Sequence, residues 1–323
     1  MNIFCFGDIH IGSSKYQFVK EQEDKLVEWA LNNVREHECN RVVILGDLFK
    51  NKVHEPWDKD KVWWILRSLS EKVDTVVLAG NHDYYDKKCR DSGIRVYDGT
   101  SGLQIVDTGI YSEDVDGKRL LYVPWQWNLE RDSEIEGDIA FGHFEVKELV
   151  SWSSEEQVSI KEFDQVGMVF SGHIHKVMHN FKNFLYVGVP FQRNFGDGIG
   201  GGVAVSTEDD EEGNVYWYLV NSYGVKLVVM NSVDDLIEYG GEKLYVRTTS
   251  KEVVDNLRIM NRADVVGVEY VPDAVSGYNE SQFQNWENKL SQIDTWGMLE
   301  EYGKQVLKLN DKQVEWLKEV KNE

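Results

Sequence analysis

Residues 73–83 read Val73-Asp74-Thr75-Val76-Val77-Leu78-Ala79-Gly80-Asn81-His82-Asp83. The first seven form a largely apolar, β-branched run that reads as a buried strand. The last four place an amide, an imidazole and a carboxylate on the turn that ends it. Four other short motifs share this placement. Asp8-Ile9-His10 comes after a strand at 3–6, Gly46-Asp47 after 41–45, Gly142-His143 at the end of 139–142, and Gly172-His173-Ile174-His175 after 168–171. Loops at the carboxyl ends of strands are where α/β folds gather their sites. Five of the eight histidines (His10, His82, His143, His173 and His175) fall inside these motifs, while His37, His54 and His179 do not. A glycine ahead of four of the motifs lets the backbone turn at the strand end without a Cβ clash.

Val19, Leu26, Trp29, Ala30 and Val34 recur at near-helical spacing across 16–38, and Val62, Ile65, Leu66 and Leu69 do so across 58–70. Strands therefore alternate with helices, the pattern of an α/β layered fold. Further strands are read at 104–106, 120–123, 185–187, 203–205 and 215–220, and so many predict two packed sheets with helices outside. The acidic run 208–212 reads as a solvated hairpin tip. After Gly224 a compact second unit follows, with strands at 226–230, 243–247 and 265–270 and helices at 233–239 and 251–261. Residues 272–281 are turn-rich. Beyond them, Leu290, Ile293, Leu299, Tyr302 and Val306 form one helical stripe and Val314, Leu317 and Val320 another. The expected organisation is a main domain at 1–224, a small α/β domain at 225–272, a linker at 273–284 and a helical tail at 285–323.

The chain has 323 residues, 41% hydrophobic with 11 Trp, which is enough for a packed core and excludes a disordered chain or a small disulfide scaffold. With 35 Lys and Arg against 56 Asp and Glu, its net charge of −21 argues against a protein that grips nucleic acid or anionic membrane by bulk electrostatics. Cys5, Cys39 and Cys89 are odd in number and lack C-x-x-C spacing, as expected of free thiols in a reducing compartment. No apolar leader precedes Asp8 and no run approaches the roughly 18 apolar residues of a spanning helix, so a cytoplasmic protein is expected.

Carboxylates and an amide oxygen suit hard divalent ions, and imidazoles suit Mn, Fe or Zn. A carboxylate shared between two ions is the arrangement used for in-line displacement at phosphorus, and Asp47 is the natural bridge. A lone Gly-His or Gly-Asp means little, because ordinary turns use both. Five such elements in order, each at a strand end, have no simple structural explanation.

The set D-x-H, G-D, G-N-H-D/E, G-H and G-H-x-H resembles that of the calcineurin-like metallophosphoesterase superfamily, and all five elements are intact. The resemblance implies a four-layer, two-sheet α/β sandwich with flanking helices. It further implies one metal held by Asp8, His10, Asp47 and His175, and a second by Asp47, Asn81, His143 and His173. His82 is then left to face the scissile phosphate as the catalytic residue, with Asp83 orienting it. Within the superfamily, Gly46-Asp47-Leu48-Phe49 and residues 188–197 are similar to the corresponding segments of SbcD-type DNA repair and recombination nucleases, the phage recombination endonuclease subunit among them. Domain order agrees as well. That likeness implies an Mn2+-dependent enzyme, with Mg2+ as the alternative ion, acting as a double-strand exonuclease and single-strand endonuclease. It also implies that 225–272 is a DNA-binding cap, that the protein is a homodimer, and that the tail docks on the coiled coil of an SbcC-like ATPase.

One departure stands out: Lys50 follows Gly46-Asp47-Leu48-Phe49 where those nucleases carry His or Asp, and a lysine is a poor partner for a neutral imidazole. A small-molecule phosphatase or cyclic nucleotide phosphodiesterase shares the same metal core. Against it stand the roughly 100 residues after Gly224, which a minimal phosphatase does not need. A Ser/Thr protein phosphatase lacks its G-D-x-x-D-R-G element here, and a non-catalytic scaffold would have lost ligands. The loops around the motifs (11–15, 48–54, 84–95, 174–182 and 190–200) hold 10 basic and 3 acidic residues. Lys50, Lys52, Lys87, Lys88, Arg90 and Arg193 are thus candidates for phosphate or DNA contact on a positive rim.

Overall fold

The computed structural model describes residues 1–271, apart from 131–134, 153, 182, 199, 211–212, 233–234, 236–241 and 261–262. The expected linker and helical tail, and most of the helix expected at 233–239, lie outside the described residues.

In chain order the elements are β1 (Asn2–Phe6), α1 (Gln17–Glu36), β2 (Arg41–Ile44), α2 (Pro56–Ser70), β3 (Asp74–Leu78), β4 (Leu103–Val106), β5 (Tyr111–Val115), β6 (Lys118–Val123), α3 (Trp127–Glu130) and β7 (Gly137–His143). They continue with β8 (Val166–Gly172), β9 (Val177–Phe181), β10 (Phe184–Val187), β11 (Gly201–Asp209), β12 (Val215–Asn221), β13 (Lys226–Val229), β14 (Leu244–Thr248), α4 (Lys251–Met260) and β15 (Val265–Tyr270). Two six-stranded sheets have the orders β12-β11-β1-β2-β3-β4 and β5-β6-β7-β8-β10-β9, and a third sheet runs β13-β14-β15. Strands β1 to β4 are mutually parallel, as are β6, β7, β8 and β10, so each sheet collects several carboxyl ends on one edge.

Period-two alternation decides the layering. Ile3 and Cys5 of β1, Val43 of β2 and Val76 and Leu78 of β3 pack against Tyr122, Ile139, Phe141, Met168 and Phe170 of the second sheet. The alternate residues Phe4, Phe6, Val42, Ile44 and Val77 face away, onto Val19, Leu26 and Ala30 of α1 and Val62, Ile65 and Leu69 of α2. Pro56 starts α2, where its fixed φ suits a first helical turn and its missing N–H is no loss. The expected two-sheet α/β sandwich is what forms, with one difference. Among the described residues, the outer face of the second sheet is covered by the short α3 and the loop side chains Phe144, Val158 and Phe163 rather than by long helices.

Strands β5 and β9 have no counterpart in the sequence reading. Both lie at the edges of their sheet, and β5 (Tyr-Ser-Glu-Asp-Val) is largely exposed, so it lacks the apolar alternation that marks a strand. The third sheet is wholly parallel, with α4 packed through Val253 and Leu257 against Leu244 and Val246.

Candidate metal centre

The carboxyl ends of β1, β2, β3, β7 and β8 meet, and the five motifs meet with them. Asp8, His10, Asp47 and His173 all have positive φ (56°, 52°, 52° and 82°), a region that costs a non-glycine residue free energy and is frequent at functional sites. Of the glycines ahead of the motifs, only Gly46 has positive φ, at 92°. Gly80 and Gly172 serve close approach instead: a Cβ on Gly80 would lie 2.2 Å from Asp47 Oδ1, and one on Gly172 would lie 2.6 Å from the Leu45 carbonyl.

Asp47 sits between two donor sets. Its Oδ2 is 3.5 Å from His10 Nε2, and its Oδ1 is 3.6 Å from His143 Nε2. On the first side, His10 Nε2 and His175 Nε2 are 3.0 Å apart, and His175 Nε2 is 3.7 Å from Asp8 Oδ1. On the second side, Asn81 Oδ1 is 3.1 Å from both His143 Nε2 and His173 Nδ1. The residues that the resemblance implied as two ligand sets therefore lie close together in space. Groups of potential ligand atoms within 4.8 Å of one another include Asp8, His10 and His175, and Asp8, Asp47 and His143. A third such group is His10, Asp47 and His82, so His82 is at the centre as well.

The donors fit a cation. His10 Nδ1 donates to the Phe49 carbonyl at 3.2 Å and His143 Nδ1 to the Leu45 carbonyl at 2.6 Å. A carbonyl can only accept, so each neutral ring turns a lone pair on Nε2 into the centre. Carboxylates hold the other two rings: Glu145 lies 2.9 Å from His173 Nε2 and Asp197 lies 2.8 Å from His175 Nδ1. Orientation of metal-ligating imidazoles by outer carboxylates and carbonyls is a recurrent feature of metal sites. Lone pairs facing lone pairs and carboxylates inside a buried pocket need a positive charge among them.

Burial and neighbouring charges move the titrating groups here in opposite directions. Burial opposes charge on His175, but Asp197, Asp8 and Asp47 hold its pKa up to about 9. Burial takes His143 down to about 4 and pushes the Asp8 carboxyl up. Asp47 moves the other way and stays a carboxylate despite its burial, with its Oδ1 accepting the His82 N–H. Glu145 is likewise held down to about 2 against its burial by hydrogen bonds from His173 and Ser154.

Around His82 the structure corrects two expectations. Asp83 does not orient it: the Asp83 carboxylate accepts from the backbone N–H groups of Leu48 (2.9 Å), Phe49 (3.2 Å) and Gly80 (2.8 Å), and so clamps the two motif loops together. His82 is oriented by main chain, its N–H on Asp47 Oδ1 at 2.9 Å and its Nδ1 on the Lys50 carbonyl at 2.6 Å. A carbonyl is available whatever side chain occupies position 50, which removes the difficulty posed by the lysine. The Lys50 ammonium donates to the Ser13 carbonyl at 2.8 Å.

The positive rim also needs correction. Arg193 turns inward rather than toward a ligand, its guanidinium on Glu23 at 2.6 Å and on the carbonyls of Ile9 and Gly12. Arg90 pairs with Asp86, Arg95 with Asp107 and Lys15 with Glu269, and the last two carboxylates, like Glu23, lie outside the loops counted in sequence. Lys87 and Lys88 are exposed on the loop after His82, and Lys52 is half-buried.

Sequence reasoning missed Glu145, Asp197 and His54. Glu145 stands two residues beyond His143 and Asp197 within the segment that resembled the nucleases, but neither has a motif of its own. His54 Nε2 donates to the His82 carbonyl at 3.2 Å, while its Nδ1 is buried without a partner, at a cost of about 1–3 kcal/mol.

The sequence matches the Calcineurin-like phosphoesterase family over residues 1–177, a span that holds all five motifs. The chain belongs to this family. Membership makes it a metal-dependent phosphoester hydrolase, and the clustered carboxylates and imidazoles are its candidate ligands. No curated protein matches it in sequence. Among solved structures it is similar to the nuclease MPE of Pseudomonas putida (16% identity, TM-score 0.29, 57% of this chain and 66% of that one), so the likeness spans less than two thirds of that nuclease. It is also similar to a protein of unknown function from Aquifex aeolicus (16%, 0.31, 56% and 82%) and to Vps29 of Chaetomium thermophilum (13%, 0.29, 68% and 93%). Among the described residues, no helix is long and apolar enough to cross a membrane.

Proposed function

We propose that this member of the family is a DNA nuclease using two Mn2+ ions, a double-strand exonuclease and single-strand endonuclease. The observation that carries a two-ion phosphodiesterase is Asp47, whose two carboxylate oxygens face different donor sets. Asp8, His10, Asp47 and His175 would hold one ion, and Asp47, Asn81, His143 and His173 the other. When bound, divalent ions supply Lewis acidity toward the phosphate oxygens. His82 does the remaining work. Its Nδ1 donates to the Lys50 carbonyl, which turns Nε2 toward the centre, where a proton on Nε2 would pass to the leaving oxygen.

The DNA substrate is supported by the Gly46-Asp47-Leu48-Phe49 element and by the small parallel sheet that follows Gly224. The neutralised arginines of the rim speak for the second reading, a small-molecule or cyclic nucleotide phosphodiesterase. With Mn2+, the protein is expected to degrade linear duplex DNA far faster than a cyclic nucleotide. The reverse order would establish the second reading. In either case His82→Ala should lower turnover by about 10²–10⁴ with metal content unchanged, and unaltered turnover would remove His82 from the mechanism.

The proposal extends to a cytoplasmic homodimer whose residues 285–323 dock on an SbcC-like ATPase by helix-in-groove contacts. Removing the residues after Ser281 is expected to abolish that complex and spare nuclease activity. The isolated chain should hold duplex DNA weakly and with strong salt dependence, as its net charge of −21 and paired rim require.

A further inference from the structure

His54 lies outside the five motifs, between β2 and α2, and is buried. Its Nε2 meets the His82 carbonyl, so Nε2 carries the hydrogen and Nδ1 keeps a lone pair. That Nδ1 has no partner. It faces Gly93, where a Cβ would lie 2.3 Å away. The ring stacks on Phe49, with centroids 3.8 Å apart and planes 12° from parallel. A phenyl ring would keep the stacking and avoid burying an unpaired nitrogen. The imidazole occupies this slot for the single bond a phenyl lacks, the one to His82.

We infer that His54 is a positioning residue for His82. Together with the Lys50 carbonyl on the ring and Asp47 on the N–H, it fixes His82 at three points, and two of the three come from residues 50–54. This inference rests on His82 acting on the leaving oxygen. If it does, loosening His82 slows the step that needs its proton and leaves substrate binding and metal binding alone.

The test compares His54→Phe, which keeps the stacking, with His54→Gln, which retains an N–H donor, in the full-length Mn2+ protein. Substrates are bis(4-nitrophenyl) phosphate and diphenyl phosphate, whose phenolate is the poorer leaving group. For His54→Phe, kcat should fall about 10- to 100-fold, the scale of a misplaced catalytic group, with KM and Mn2+ affinity unchanged. The fall should be larger on diphenyl phosphate, partly restored in His54→Gln, and absent in a His82→Ala background. His54→Leu carries the same expectation if the phenylalanine variant does not fold. Full activity of the Phe or Leu variant, or an equal loss in the His82→Ala background, would overturn the positioning role while leaving His82 in place. Full activity of His82→Ala alone would overturn the reading of His82, and this inference with it.

Discussion

The two donor sets on either side of Asp47 in the candidate metal centre are built from different material. In the half around His143 and His173, these two candidate ligands stand at the ends of β7 and β8, His143 is fully buried, and its outer partner is the Leu45 carbonyl at the end of β2. The half around His10 and His175 depends on a loop. Asp197, which holds His175, is fixed by the backbone N–H groups of Arg193 (2.7 Å) and Asn194 (3.0 Å), and the His175 side chain is 29% exposed. The loop in turn bonds the third sheet, because Gln192 Oε1 accepts from Leu227 N–H at 2.9 Å. One half is therefore fixed as soon as the two sheets pair. The other is completed only when the loop at 190–198 and the third sheet are in place.

The most disruptive change is the one that erases the distinction. Asp47 belongs to both halves, so Asp47→Ala should remove activity by more than the roughly 10²–10⁴ that accompanies loss of one acid–base group, and should lower Mn2+ stoichiometry at both halves. Calorimetric titration with Mn2+ reads this directly. Retention of one full-affinity ion would mean that the halves do not share the carboxylate.

The outer carboxylates separate the halves. Glu145→Gln and Asp197→Asn should each weaken one ion by about 10- to 100-fold, the usual consequence of losing an outer partner of a metal ligand. Glu145 bonds the ring of His173 and Asp197 the ring of His175, so different binding phases should move. The His175 half, held by a loop, is expected to be the weaker of the two in the unmodified protein. If both variants shift the same phase, the comparison fails.

The same division explains what the sequence disclosed. The candidate ligands were legible because five short Asp, Asn and His motifs follow one another, each at the end of a strand marked by its apolar run, although any one of them alone would pass for an ordinary turn. The outer layer was not, because the partners of His10, His143 and His82 are the carbonyls of Phe49, Leu45 and Lys50, and a carbonyl leaves no trace in residue identity. Asp83 looked like the partner of its neighbour His82 but reaches across to the backbone after Asp47. Arg193 looked like a rim cation because proximity in sequence to a motif does not say which way a side chain turns, and its partner Glu23 is on α1, far away along the chain. The exposed edge strand β5 escaped because an edge needs no apolar face.

The smallest expected effect tests whether the third sheet bears on the metal centre. Gln192 is buried and makes two bonds in opposite directions, accepting from Leu227 N–H and donating from Nε2 to the Asp197 carbonyl at 2.6 Å. Gln192→Leu fills similar space but leaves Leu227 N–H and the Asp197 carbonyl without that partner, a loss of about 1–3 kcal/mol in stability. If the loop transmits the position of the third sheet to His175, the variant should also weaken the His175-side ion, by less than Asp197→Asn does, because the Asp197 carboxylate keeps its own bonds to the loop backbone. The His143-side ion should not change, since none of its outer partners touches residues 190–198. A lower melting temperature with both Mn2+ affinities intact would show that the third sheet stabilises the fold without setting the geometry of the centre.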